Sequence, residues 1–297
     1  MAEAKRPERK PNPEMFKAKE PAQLFDDLYL TGSHGTGILI LRTSEGLVFL
    51  DASGDVDAYD KYIEPFYEKF GFRDEKVLMI ILTHAHFDHY LGSEMIRRKT
   101  GCEVALSWDD TAYITYCREN IGPDGEYKMG VYPRITRILH DGEELVFGDH
   151  TIRIMVGGGH TPGCLNLLFD VHEGDKTYHV VECGGFGIFG PGRFPDGDYI
   201  YGKLWAVEQA LNYANSSVKL WEYCKQHNVT VFFNPHPHLC DAWKHVEENK
   251  ERKEGDENAF SIGLEGVRKY IVGRYTAALE SASAFSGIEE EYDPSKG

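Results

Sequence analysis

The feature that most constrains the fold of this chain is a set of four metal-binding side chains within six consecutive positions: His84, His86, Asp88 and His89. The apolar residues 77–82 directly before them predict a buried strand. Residues 94–99 predict a helix, with Gly101 placed to end it. Three imidazoles and a carboxylate at a strand end would desolvate and repel one another without an ion. Imidazole suits zinc, copper, iron and nickel, so the segment predicts a divalent metal site.

Two further histidines stand where strands are predicted to end. His160 lies in a Gly-Gly-Gly-His-Thr-Pro-Gly run, where glycine allows the sharp turn that presents it. His236 follows the predicted strand 229–233. A third strand end carries Glu182 and Cys183. Because metal sites collect ligands from strand ends far apart in the sequence, His160 and His236 are candidates for the same centre.

Predicted strands and helices occur in two halves of similar order, the second opening near residue 135. Two sheets packed together with helices outside them account for this order. We expect an α/β (α+β) domain over residues 23–285, an irregular N-terminal arm over 1–22 and a loose acidic tail over 286–297.

Two long amphipathic helices are predicted in the second half, at residues 203–226 and 263–282. Large apolar residues recur along each of them and predict the buried faces. In the first helix these are Leu204, Val207, Leu211, Val218 and Trp221. In the second they are Leu264, Val267, Ile271, Tyr275 and Leu279.

Charge and composition exclude several classes of partner. The 297 residues carry a formal net charge of -16, which repels phosphate backbones and argues against nucleic acid. No apolar run approaches the roughly 20 residues of a membrane span.

The six cysteines show no CxxC spacing and predict reduced thiols. The charged first ten residues lack an apolar stretch behind them, so we expect a cytoplasmic location, or a periplasmic one if a leader precedes this sequence.

The His-x-His-x-Asp-His segment, the Gly-His-Thr-Pro-Gly turn and the late Pro-His resemble the metallo-β-lactamase-fold hydrolase superfamily. Asn-Pro-His-Pro at 234–237 and Asn-Ala-Phe at 258–260 look most like the third subclass of metallo-β-lactamases. The resemblance implies a four-layer αββα sandwich with two zinc ions, iron being the alternative metal. It places the first zinc on His84, His86 and His160, and the second on Asp88, His89 and His236.

The sequence departs from many members of the superfamily at one strand end. Glyoxalase II and the quorum-quenching lactonases have a metal-bridging aspartate where this chain has Glu182 and Cys183. Whether either side chain touches the metal stays open, and the absence of the aspartate favours the third-subclass arrangement, in which water completes the second zinc. Asp51 ends a strand in front of the site and is a candidate to orient a ligand histidine.

Other residues near the ligands are candidates to support a metal ligand or to contact the substrate. Tyr90 follows the first motif, and His238 stands two positions after His236. The glycine-rich residues 184–202, which include Phe186, Phe189 and Phe194, predict a flap over the site.

The expected chemistry is attack of a metal-bound hydroxide on a carbonyl of a small molecule, with Asp88 binding the metal and steering the hydroxide. The resemblance favours a β-lactam or a similar cyclic amide. A cytosolic lactone, ester or thioester hydrolase of the same fold is the alternative, and an iron-dependent oxidoreductase is a third reading. The oligomeric state is left open.

Overall fold

A computed structural model of the chain describes residues 12–120, 131–188 and 203–286. Seven strands of these ranges form one sheet in sequence order. They are β1 (Ala22–Gln23), β2 (Leu28–Gly32), β3 (Gly37–Thr43), β4 (Gly46–Leu50), β5 (Val77–Ile81), β6 (Glu103–Ser107) and β7 (Arg137–Leu139). Neighbouring strands are antiparallel from β1 to β4 and parallel from β4 to β7.

Five described strands form the second sheet. They are β8 (Glu144–Phe147), β9 (His150–Val156), β10 (Leu165–Glu173), β11 (Lys176–Cys183) and β12 (Val231–Phe233). Their order in the sheet is β12-β11-β10-β9-β8. The pair β11–β12 is parallel, and the other pairs are antiparallel.

The helices surround these sheets. They are α1 (Glu64–Phe70), α2 (Phe87–Tyr90), α3 (Ser93–Thr100), α4 (Trp108–Asn120), α5 (Lys203–Gln226), α6 (Ala242–Lys250) and α7 (Gly263–Phe285). A π-helical turn, Tyr59–Ile63, precedes α1, and 3-10 turns occur at Pro13–Phe16 and Pro237–Leu239. Among the described ranges, no helix combines the length and the hydropathy that a membrane-spanning segment requires.

The first sheet is buried on both faces. Along β3, Leu39 and Leu41 belong to the cluster that fills the space between the two sheets. Ile38 and Ile40 point the other way, into a second cluster formed with α1 and α3. This alternation follows from the two-residue period of a strand. The predicted architecture, two sheets flanked by helices, is confirmed.

The strand directions bring distant parts of the chain to one edge of the sandwich. Because β4, β5 and β6 are parallel, the residues that follow them emerge side by side. These residues include Asp51, the loop 82–86 and Asp110. Strands β11 and β12 are also parallel, so the residues that follow them, 184–187 and 234–236, emerge side by side as well.

The predicted buried faces of α5 and α7 are partly wrong. Leu204 is 74% exposed, and Leu211 and Val218 are also exposed on α5. On α7, Tyr275 and Leu279 are exposed, although Val267 and Ile271 are buried as predicted. The two helices instead bury small side chains, because these allow close approach of the helix backbones: Ala206, Ala210 and Ala214 of α5 with Ala278 and Ala282 of α7.

Candidate metal centre

The first group of predicted ligands, His84, His86 and His160, comes together in the structure. Nε2 of His160 lies 3.2 Å from Nε2 of His84 and 3.1 Å from Nδ1 of His86. Zinc–nitrogen bonds of 2.0–2.1 Å in a tetrahedron would separate two ligand nitrogens by about 3.3 Å. The donor set and its spacing therefore fit a divalent metal held between the three rings.

Burial keeps these imidazoles neutral. It lowers the pKa of His84 and of His160 well below the usual value, and it lowers the pKa of His86 to about 3. Metal binding requires the unprotonated ring nitrogen. At neutral pH the group would therefore accept a metal without first losing a proton.

The second group of predicted ligands, Asp88, His89 and His236, also meets. Nε2 of His89 lies 3.3 Å from Nε2 of His236 and 3.4 Å from Oδ2 of Asp88. The third separation, between Asp88 Oδ2 and His236 Nε2, is 3.7 Å. The ring centroids of His84 and His89 are 4.1 Å apart, so the two groups are neighbours.

The second group favours a positive charge. Burial would lower the pKa of His89, but the carboxylates of Asp88 and Asp51 raise it to about 10. Burial likewise opposes ionisation of Asp88, yet His89 and His236 hold its pKa well below the usual range. A metal cation can take the place of the proton that this arrangement attracts.

In four of the histidines, the ring nitrogen that faces away from its ligand group also has a hydrogen-bonding partner. Nδ1 of His84 faces Thr83 Oγ1 at 3.0 Å, and Nδ1 of His160 faces the carbonyl of Gly187 at 2.8 Å. The Nδ1 atom of His236 faces the carbonyl of Gly35 at 2.9 Å. Such partners fix the orientation and tautomer of metal-binding imidazoles.

Asp51 holds the fourth histidine, His89, whose Nδ1 lies 2.8 Å from Asp51 Oδ2. The backbone N–H and the hydroxyl of Thr83 also donate to this carboxylate, at 2.6 Å and 2.8 Å. Asp51 is buried and has a φ of 66°, an uncommon conformation for a residue other than glycine. The structure thus places Asp51 where the sequence predicts an orienting residue.

Sequence reasoning missed Asp110. This buried carboxylate accepts hydrogen bonds from Ala85 N at 2.8 Å, Thr161 Oγ1 at 2.6 Å and Gly163 N at 2.6 Å. It therefore ties the loop of His84 and His86 to the loop of His160. Burial raises the pKa of Asp110 to about 7. Its position after β6, the strand beside β5, is the sequence signal that could have identified it.

The other candidate residues are not members of either ligand group. Glu182 and Cys183 are buried, and neither belongs to a described ligand group. Burial raises the pKa of both, and the nearby guanidinium of Arg274 on α7 partly offsets the rise at Cys183. Tyr90 is buried in the core beneath the helices, so its position corrects the prediction of a substrate contact.

His238 stays close to the centre. Its ring lies 5.7 Å from that of His236 and stacks on His34 at 6.1 Å. Most of the predicted flap, including Phe189 and Phe194, lies outside the described residues. Outside them too are residues 287–297, which are most of the predicted tail, and residues 1–11 of the predicted arm.

Gly185 packs directly against the ring of His160. A Cβ atom at Gly185 would lie 2.3 Å from Cγ of that ring. The change Gly185→Ala is therefore expected to displace His160 and to weaken metal binding by about 10- to 100-fold, as loss of a ligand's support does. Competition with a chromogenic chelator measures this affinity. Gly273→Ala on α7, where the new Cβ would meet no atom within 4 Å outside its own helix turn, is the control. Equal affinities in the two variants would contradict the expectation.

Comparison with known proteins agrees with this geometry. Residues 31–172 match the family model described as the metallo-beta-lactamase superfamily, and the chain carries a domain of that superfamily. A hydroxyacylglutathione hydrolase of Rhizobium etli is 27% identical over 161 residues, which are 53% of this chain and 53% of that protein. The match thus spans about half the length of this curated relative.

Solved structures of the same fold cover nearly the whole chain. The subclass B3 metallo-beta-lactamase BJP-1 of Bradyrhizobium japonicum has a TM-score of 0.69 and 22% identity, over 94% of this chain and 96% of that one. The class B3 di-zinc metallo-beta-lactamase LRA-12 from an Alaskan soil metagenome has a TM-score of 0.69 and 18% identity, over 93% and 97%. At these identities the likeness establishes the fold.

Proposed function

We propose that this protein is a zinc-dependent hydrolase that opens a β-lactam or a similar cyclic amide. The observation that carries the proposal is the pair of adjacent three-ligand groups, His84, His86 and His160 beside Asp88, His89 and His236. Three protein ligands for each metal leave coordination positions open for water and substrate, as in catalytic zinc sites. The di-zinc relative of the same fold supports zinc over iron.

Two zinc ions in these groups would act as Lewis acids on a carbonyl and would lower the pKa of water to about 7. The protein positions the two ions and determines the side from which the substrate reaches them. The side chain of Asp88 is 31% exposed, whereas the side chain of His89 is fully buried. Substrate would therefore approach from the side of Asp88. Its ionised carboxylate could orient a water molecule or accept its proton there.

The carboxylates present in the two ligand groups favour a cyclic amide as the substrate. Neither described ligand group contains a second carboxylate beside Asp88. Glu182, at the end of β11 where many members of the superfamily have the bridging aspartate, is buried and belongs to neither group. The structural relatives are lactamases, which agrees with this choice.

A second candidate function is hydrolysis of a thioester. It is favoured by the sequence similarity to hydroxyacylglutathione hydrolases. The same metal groups would serve, because a thioester also presents a carbonyl carbon to water. The substrate would then differ in its leaving group, a thiol in place of an amine.

The deciding experiment measures turnover by zinc-loaded protein of the β-lactam nitrocefin and of a hydroxyacylglutathione thioester. We expect the larger kcat/KM for nitrocefin, and we expect a chelator to abolish turnover. Turnover of the thioester alone would assign the second function. Absence of both activities, with zinc confirmed in both ligand groups, would contradict both proposals.

A further inference from the structure

A second cluster of potential metal ligands lies at the opposite edge of the sandwich. Gly37, at the start of β3, donates its N–H to the carbonyl of Pro235, beside the ligand His236. The other end of β3, at Thr43, lines a separate cleft of about 540 Å³. A seven-residue strand spans about 20 Å, so the cleft is remote from the centre described above.

Three side chains from distant segments meet in this cleft: Asp27, His150 and His172. Oδ2 of Asp27 lies 2.6 Å from Nδ1 of His172 and 2.9 Å from Nε2 of His150. Asp27 comes just before β2 of the first sheet, whereas the histidines belong to β9 and β10 of the second. The cluster therefore joins the two sheets.

Neighbouring groups hold these side chains in place. Nδ1 of His150 lies 2.8 Å from Oδ1 of Asp149, which also accepts the N–H of Ser44 at 2.8 Å. The ring of His150 thus presents Nε2 to Asp27. The backbone N–H of His172 donates to the carboxylate of Asp27 at 3.0 Å. A histidine oriented by a carboxylate on its outer nitrogen is the usual support of a metal ligand.

The charge of the cleft favours a cation over an anion. Its lining contains five carboxylates and two basic side chains, Arg42 and Lys76. Arg42 is already paired with Glu75 at 2.8 Å. The volume of the cleft leaves space for water molecules, which commonly complete a metal site with three protein ligands.

We propose that Asp27, His150 and His172 form a third metal site, which takes a divalent transition metal such as zinc. The set of two imidazoles and one carboxylate suits this class of ion. Without metal, the two rings donate hydrogen bonds to Asp27. Binding would release these protons and widen the nitrogen–oxygen separations to about 3.3 Å. The side chain of His172 is 42% exposed, so it has freedom to make this small movement.

The test compares His172→Asn with a matched control, His179→Asn. His179 is 44% exposed and lies 2.6 Å from the carboxylate of Asp170, but it belongs to none of the three-ligand groups among the described residues. Full-length proteins are dialysed against micromolar zinc, and bound metal is then measured. We expect three zinc ions per chain in the wild type and in His179→Asn, and two in His172→Asn.

Thermal unfolding gives an independent readout. Added zinc should raise the Tm of the wild type and of His179→Asn more than that of His172→Asn, because only the last lacks the third site. The hydrolase activity of His172→Asn should be unchanged. Two zinc ions in the wild type, or a third ion that persists in His172→Asn, would overturn the proposal.

Discussion

The change His160→Ala is expected to remove one bound metal and to lower hydrolase turnover by about a thousandfold, or about 4 kcal/mol of transition-state stabilisation. Nε2 of His160 lies 3.2 Å from Nε2 of His84 and 3.1 Å from Nδ1 of His86, so it completes the first group. Its loss leaves two ligands, which is too few for a stable catalytic zinc site. Steady-state kinetics and metal analysis on the same sample measure the two effects.

A surface histidine provides the control for this change. His140 is exposed and is absent from the described ligand groups, so His140→Ala should retain both catalytic metals and full turnover. A His160→Ala protein that kept its metal content and activity would contradict the ligand assignment. Loss of metal with unchanged turnover would instead show that the first group is not catalytic.

The change Asp110→Ala is expected to reduce the free energy of unfolding by about 4 kcal/mol. It would leave three buried donors without an acceptor, and each unpaired group costs about 1–3 kcal/mol. These donors belong to Ala85, Thr161 and Gly163, on the two loops that carry the first ligand group. Denaturant unfolding of metal-free protein isolates this effect from the contribution of bound metal.

The neighbouring residue supplies a matched control. Asp109 is exposed in the same first turn of α4, so Asp109→Ala should change the stability by less than about 1 kcal/mol. Similar losses in both variants would show that helix charge, and not the tie between the loops, accounts for the effect. We also expect weaker metal binding in Asp110→Ala alone, because the ligand loops would no longer be held together.

Local patterns predict much of this fold. The helix α5 has the bounds 203–226 that the sequence predicts, and β5 covers residues 77–81 of the strand predicted over 77–82. The six proposed ligands stand at strand ends and turns, and the parallel strands of each sheet bring them together. The periodicity of side chains and the position of glycines were sufficient for these features.

The buried faces of α5 and α7 could not be predicted in this way. Hydrophobic periodicity identifies large apolar residues, but close packing of two helices selects small ones such as Ala210 and Ala278. The role of Asp110 could not be recognised from the sequence, because acidic residues are common in the first turn of a helix. The cluster of Asp27, His150 and His172 joins positions 123 and 145 residues apart, which no local pattern records.

Each proposed catalytic metal takes two ligands from the first half of the chain and one from the second, His160 or His236. Metal binding and assembly of the two halves are therefore linked equilibria. A ligand at a thousand times its dissociation constant adds about 4 kcal/mol to stability, a large share of the total for a typical domain. The rate at which cellular proteases degrade this protein would then depend on the supply of metal. When metal is scarce, the amount of protein would fall together with its activity.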